Sequence, residues 1–276
     1  LFATSIIAQT AIWHLQPQII VVVLTLWSFE RYAAGKPIAA GVILAFAGGL
    51  KIAPAAFGVI FLLDRNWRAA IAAALTGAVL LALSFLVGGL QLHLDFLEGA
   101  AAASEGIFFT RITYTVEMAL YALGMWAGYL PFVDTSDAVE RIMHTPPAIS
   151  VAVKALALAA FGWVIWRTYR LPADIRLPAQ IILLTLIING FGPLGWSHYY
   201  LPIILFLPAL FGLMSRTSGI TLAILFAVVT SSPAQLWMRE HWVNETVVGV
   251  VHTGLMALIF VALILSLKRH EPPLSA

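Results

Sequence analysis

Apolar runs recur along the whole chain, and polar residues gather in the short interruptions between them. A bilayer-spanning helix takes about 20 mostly apolar residues. The pattern predicts helical segments at Leu1–Trp13 (partial), Pro17–Ala33, Pro37–Leu63, Trp67–Val87, Ala148–Trp166, Pro178–Leu194, Tyr199–Met214, Gly219–Ser231 and Thr246–Leu267. Residues 88–147 interrupt it and read as a long loop. The one apolar stretch there, Val116–Val133, is broken by Gly124, Gly128 and Pro131, and reads as interfacial rather than spanning. The expected fold is all-α: a polytopic integral membrane protein forming a single transmembrane domain over 1–276, with 88–147 as an extracytoplasmic loop region within it. Leu1 stands inside an apolar run with no basic segment before it, as expected of a fragment lacking its N-terminal part.

Two places depart from simple spans. Pro37–Leu63 carries Gly48-Gly49, Lys51 and Pro54 near its middle. As one straight helix it would run roughly 40 Å, more than the roughly 30 Å hydrocarbon core needs. A broken or re-entrant helix pair with Lys51 at the break fits better. A lysine at the centre of a span costs about 2.5–3.5 kcal/mol on insertion scales, so an anionic partner such as a phosphate is expected near it. The second place is GPLGWSHYYLP, where Pro193 and Pro202 disturb the helix ladder around Trp196, Ser197 and His198. Irregular backbone at membrane depth is tolerated where protein or a wet cavity satisfies it, so this segment reads as the lip of a cavity.

Composition sharpens the class. Of 276 residues, 61% are hydrophobic and 10% charged, against about 25% charged in soluble domains. A net charge of +2 without a basic run argues against a nucleic-acid partner. The absence of cysteine excludes disulfides and thiolate catalysis. No metal-ligand spacing or phosphate-binding glycine loop occurs, so neither metal nor cofactor is expected. Lysine and arginine bias orients the chain: Arg31, Lys36, Arg65, Arg68, Arg167, Arg170, Arg176, Arg216, Lys268 and Arg269 fall on one, cytoplasmic, side if Pro37–Leu63 enters and returns and Val116–Val133 does not cross. The acidic loops and Trp196–His198 then share the opposite face.

His198 has two readings, a contact or proton-transfer group for a phosphate or sugar and an interfacial histidine in an aromatic belt. Lys51 is either a phosphate partner or a snorkelling lysine. In EGIFFTRITYTVE, Glu105 is a possible general base, and Arg111 is suited to bidentate phosphate binding; the alternative is a solvated acidic loop. His14 and Gln16, in WHLQPQ, close the turn after the first segment on the face of His198. His93, His144, His241 and His252 share no spacing and read as loop or boundary residues.

Three pieces, in this order, resemble glycosyltransferase family 87, membrane enzymes of the GT-C type that include polyprenol-phosphate-mannose-dependent mannosyltransferases. The first is LQPQIIVVVLTLWSFERYAAGKPIAAGVILAFAGGLKIAPAAFGVIFLLDRNWRAA, where Lys51-Ile52-Ala53-Pro54 and Arg65-Asn66-Trp67-Arg68 stand at the places of the family's Lys-x-x-Pro break and basic-Trp-Arg end. The second is the long loop after the next span. The third is GPLGWSHYYLPIILFLPAL, similar to a Pro-x-x-Trp-x-His element, with Trp196 and His198 matching. The likeness covers about Gln16 to Leu210. The family's Gly-Gln turn is Leu15-Gln16-Pro17-Gln18 here.

The resemblance implies a GT-C-like helical bundle in a bacterial plasma membrane with its active site extracytoplasmic. It implies an inverting hexosyltransferase, most often a mannosyltransferase, moving sugar from a polyprenyl-phosphate donor to a lipid or glycan acceptor among membrane lipids. His198 is carried over to the donor phosphate or sugar, with Trp196, Lys51, Arg111, Gln16 and His14 around it. The family's aspartate base is expected ahead of Leu1, which leaves Glu105 as the carboxylate in this chain. Two other classes compete, a membrane transporter, because a broken helix with a midplane cation also marks carrier sites, and a non-catalytic assembly protein of the same fold.

Overall fold

The computed structural model describes residues 5–110, 112–132, 142–241 and 245–270. The described residues are mostly helical, and the chain divides into two compact units, one of residues 11–102 and one of residues 1–10 with 103–276. Among the described residues, four helices are long and apolar enough to cross a membrane, those within Trp67–Ser104, Pro147–Thr168, Ala173–Gly190 and Thr246–His270, and the bent pair Ile6–Trp13 and Gln18–Ala33 would make a fifth if it is one span. The protein is an all-α, multi-pass membrane protein.

The first unit begins within α1 (Ile6–Trp13) and continues through α2 (Gln18–Ala33), α3 (Pro37–Leu50), α4 (Val59–Leu63) and most of α5 (Trp67–Ser104). Helices α2 and α3 form a hairpin: Ser28 Oγ donates to the Ala40 carbonyl at 2.8 Å. Phe29 packs on Phe57 and Phe61, with ring centroids 6.0 and 5.9 Å away, and Tyr32 Oη donates to Asp64 at 2.9 Å.

The expected break in Pro37–Leu63 is present. Helix α3 ends at Leu50, Lys51 is extended (φ −157, ψ 130), and a 3-10 turn over Ala53–Gly58 leads into α4. A Cβ on Gly48 would lie 3.1 Å from the Ala55 Cβ, so the turn folds back on the end of α3.

The loop expected from Gly88 is helical as far as Ser104. Gly89 takes a left-handed bend (φ 72) that a side chain would disfavour, so the two glycines bend the helix instead of ending it. His93, read from sequence as a loop residue, closes the bend: Nδ1 donates to the Gly89 carbonyl at 2.7 Å, Nε2 bonds Ser84 Oγ at 2.9 Å, and the ring stacks on Phe85. The apolar stretch of α5 is long enough to cross a membrane.

The second unit holds the antiparallel pair β1 (Gly106–Phe108) and β2 (Ile142–His144), with α6 (Val116–Trp126) between them in sequence. Its remaining helices are α7 (Pro147–Thr168), α8 (Ala173–Gly190), α9 (Leu201–Phe206), α10 (Leu210–Leu213), α11 (Arg216–Val229), α12 (Ser232–His241) and α13 (Glu245–Ser266). The 11 residues of α6 cover only about 16 Å, well short of a span, as its interfacial reading expects. Thr115 caps it by accepting from the Met118 N–H at 3.2 Å. Helix α11, 14 residues long, reaches about 21 Å and is also shorter than a span. The segment expected to span Tyr199–Met214 is likewise subdivided, because Pro202 and Pro208 interrupt its hydrogen-bond ladder.

Helix α8 is the centre of this unit, buried from Ala179 to Ile187. Gln180 Nε2 donates to Thr168 Oγ1 at 3.1 Å and ties α8 to α7.

Candidate functional site

The segment Gly195–Tyr200 follows the end of α8 and is held from four directions. Toward the loop that precedes α6, Thr113 and Trp196 form an antiparallel bridge. In it the Tyr114 N–H donates to the Gly195 carbonyl at 2.8 Å and the Ser197 N–H donates to the Ile112 carbonyl at 2.7 Å. Toward α1, Ser197 Oγ and Thr10 Oγ1 are hydrogen-bonded at 2.9 Å. Toward α8, Asn189 Nδ2 donates to the Tyr199 carbonyl at 2.9 Å. From its own end, Tyr200 Oη donates to the Tyr114 carbonyl at 2.6 Å. Gly195 is needed for this approach, since a Cβ there would stand 2.2 Å from the Asn189 carbonyl oxygen and 2.5 Å from Thr115 Cγ2.

His198 is fully buried. Its ring lies edge-on to Tyr199 at 4.6 Å and 5.7 Å from Trp196. The sequence expects His198 on a cavity lip; the structure instead puts Trp196 and Tyr199, both partly exposed, at the surface and His198 behind them. The pairing of aromatic rings and the bridge to Thr113 cover the imidazole. The Trp196 indole Nε1 is buried and has no hydrogen-bond partner among the described residues. A donor left in that state costs about 1–3 kcal/mol, and an acceptor brought by a ligand would relieve it.

The other sequence-predicted residues are distributed as follows. Glu105 is exposed at the foot of β1, and its carbonyl accepts from Thr145 N–H at 3.3 Å. Arg111 lies outside the described residues. Lys51, His14 and Gln16 belong to the unit of residues 11–102. Lys51 is half-buried at the break after α3; His14 is exposed and Gln16 half-buried in the tight turn between α1 and α2, where Leu15 is left-handed (φ 48).

Several residues of the site carry no motif. Tyr114 is fully buried, and burial pushes its phenol well above the ordinary tyrosine range. Glu117 stands half-buried in the first turn of α6, three residues beyond Tyr114 and nearer in sequence to the bridge than Glu105. His252, read from sequence as a boundary residue, is fully buried within α13 and stacks on Tyr114. The available signal was its setting: an imidazole inside VVGVVHTGLMAL is costly in an apolar helix unless it has partners. No group of three or more metal-binding side chains occurs among the described residues.

A multi-pass helical membrane protein with a clamped aromatic-histidine segment defines the class. The chain belongs to glycosyltransferase family 87, whose sequence model matches residues 1–188. It is a membrane glycosyltransferase by that membership, which favours the transferase over the carrier. Trp196 and His198 lie beyond the matched residues. No curated protein and no solved structure matches the chain.

Proposed function

We propose that the protein is an inverting hexosyltransferase of the GT-C type, moving mannose from a polyprenyl-phosphate donor to a lipid or glycan acceptor at the extracytoplasmic face of a bacterial plasma membrane. The observation that carries this reading is the Trp196–His198 segment, braced by backbone bonds to Ile112 and Tyr114 and presenting an unpartnered indole N–H beside a buried imidazole. Family membership supplies the glycosyl transfer. The apolar helices suit a donor and an acceptor held in or beside the bilayer.

In the proposed step an acceptor hydroxyl attacks the anomeric carbon. The carbon–oxygen bond to the lipid phosphate breaks, the hydroxyl proton passes to a carboxylate base, and polyprenyl phosphate leaves with inversion. Trp196 meets the sugar or phosphate with its indole N–H. His198 supplies a further polar contact to the donor once the Tyr199 ring turns aside. Lys51, at its helix break, and Arg111 stabilise the leaving phosphate electrostatically. Gln16 and His14 offer sugar contacts. Glu105 is the base proposed within this chain, and Glu117 is the second carboxylate to test.

The test is transfer of radiolabelled mannose from polyprenyl-phosphate mannose in membranes containing the wild type, His198→Ala or Lys51→Ala at equal expression. The proposal expects transfer by the wild type and its loss in both variants. Undiminished transfer in both would return His198 to an aromatic belt and Lys51 to snorkelling, and no transfer by the wild type would overturn the donor.

A further inference from the structure

We propose that His252 is a positioning residue of the transfer site, holding the Trp196–His198 segment in place through Tyr114. This rests on the reading of that segment as the donor contact.

One face of α13 carries the loop ahead of α6. Gly249, His252 and Thr253 share that face by their i, i+3, i+4 spacing. At Gly249 a Cβ would stand 2.2 Å from Met118 Cε and 2.9 Å from the Thr113 carbonyl oxygen, so the loop lies directly against the helix. Thr253 Oγ1 reaches the Thr115 carbonyl at 3.4 Å. Between them the His252 imidazole lies flat on the Tyr114 ring, with centroids 4.4 Å apart and planes within 17°.

The plane of that imidazole is set by hydrogen bonds at both ring nitrogens. Nδ1 is 2.7 Å from the Val248 carbonyl, which can only accept, so Nδ1 carries the proton. Nε2 lies 2.6 Å from the Gln235 side-chain amide of α12, and the ring also makes a backbone hydrogen bond to Val229 at the end of α11. Histidine is thus held in one ring orientation by polar contacts that an aliphatic side chain of similar size cannot make.

Tyr114 passes the constraint on at both ends of its peptide. Its N–H holds the Gly195 carbonyl and its carbonyl receives Tyr200 Oη, so residues on either side of His198 are anchored to a single residue. A rotated or displaced Tyr114 ring would move both anchors together. The placement explains why a polar ring occupies a fully buried position inside an apolar helix, where insertion alone disfavours it.

The experiment is a double-mutant cycle on the full chain in membranes, with polyprenyl-phosphate mannose as the donor probe. His252→Leu is made in the wild type and in Trp196→Phe, which keeps an aromatic ring and removes the indole N–H. The expected result is a loss of about tenfold or more in kcat/KM for His252→Leu alone, carried mainly by donor KM, and a much smaller further loss in the Trp196→Phe background. Equal losses in the two backgrounds, or unchanged kcat/KM, would overturn the proposal. Should His252→Leu fail to accumulate, Gln235→Leu removes an Nε2 partner while leaving the imidazole present, and the same cycle applies. Tyr199→Cys, unique in this cysteine-free chain, reads the segment without catalysis: maleimide labelling is expected to quicken with either variant, and an unchanged rate would count against positioning. If His198→Ala retains full transfer, the donor-contact reading itself fails; if it abolishes transfer while His252→Leu does not reduce it, only the positioning role fails.

Discussion

Tyr200 Oη donates to the carbonyl oxygen of Tyr114 at 2.6 Å, joining residues 86 positions apart within a fully buried pair. This bond closes the clamp around His198, because the neighbouring N–H of Tyr114 holds Gly195 from the other side. Removing the hydroxyl by Tyr200→Phe leaves a buried carbonyl short of its partner, a cost of about 1–3 kcal/mol. A lowered thermal midpoint in detergent and reduced sugar transfer are expected, and an unchanged midpoint would show that the bond carries no stability.

Gly195→Ala tests the same clamp sterically. The added methyl would enter space 2.2 Å from the Asn189 carbonyl oxygen, and overpacking of this kind costs about 1–3 kcal/mol. The expected outcome is a protein that still inserts but loses most transfer, measured as rate per folded molecule. Gly99→Ala, which meets nothing within 4 Å, is the control expected to retain both.

Tyr114 gives a pH dependence whose sign follows from its burial. Burial raises its pKa in the folded state, so the unfolded chain loses the phenolic proton first. Above the ordinary tyrosine pKa of about 10 the unfolded state binds fewer protons, and stability falls as pH rises. Below that value its contribution is fully present. Tyr114→Phe is therefore expected to flatten the alkaline part of the stability–pH curve, followed by chemical denaturation at stepped pH. A curve as steep as wild type would assign the alkaline loss to other groups.

Sidedness can be read with single cysteines, since the native chain contains none. Tyr129, 86% exposed just after α6, and Tyr169, 52% exposed just after α7, fall on opposite sides in the topology set by the lysine and arginine bias. An impermeant maleimide added to intact cells is expected to label Tyr129→Cys and to reach Tyr169→Cys only after permeabilisation. The reverse pattern would invert the topology and move the proposed site to the cytoplasm.

The features legible in the sequence were those with local causes. The break at Lys51 follows from Gly-Gly and a nearby proline, and the irregular Trp-Ser-His-Tyr-Tyr segment follows from its flanking prolines. The helical character of the chain follows from its apolar runs, but their division does not: α5 continues past Gly88, and Tyr199–Met214 is subdivided at Pro202 and Pro208. What escaped depends on partners distant in sequence. Strand β1 needs β2, which lies beyond α6. The helical stretch 90–104 resembles a loop by its Gly88-Gly89 start and its acidic residues, yet His93 closes the bend locally. His252 shows no spacing that links it to Tyr114, and only the packing of α13 on the loop before α6 brings the two rings together. The candidate site was thus half readable: Trp196 and His198 by motif, Tyr114, Asn189 and His252 only by contact.

The central claim, that Trp196–His198 meets the sugar donor, is tested most directly by photo-crosslinking. A polyprenyl-phosphate mannose analogue with a diazirine on the sugar would be irradiated with the full chain in membranes and the labelled peptide mapped. Labelling is expected within residues 195–200, competed by unmodified donor. Competable labelling confined to segments that exclude these residues would contradict it.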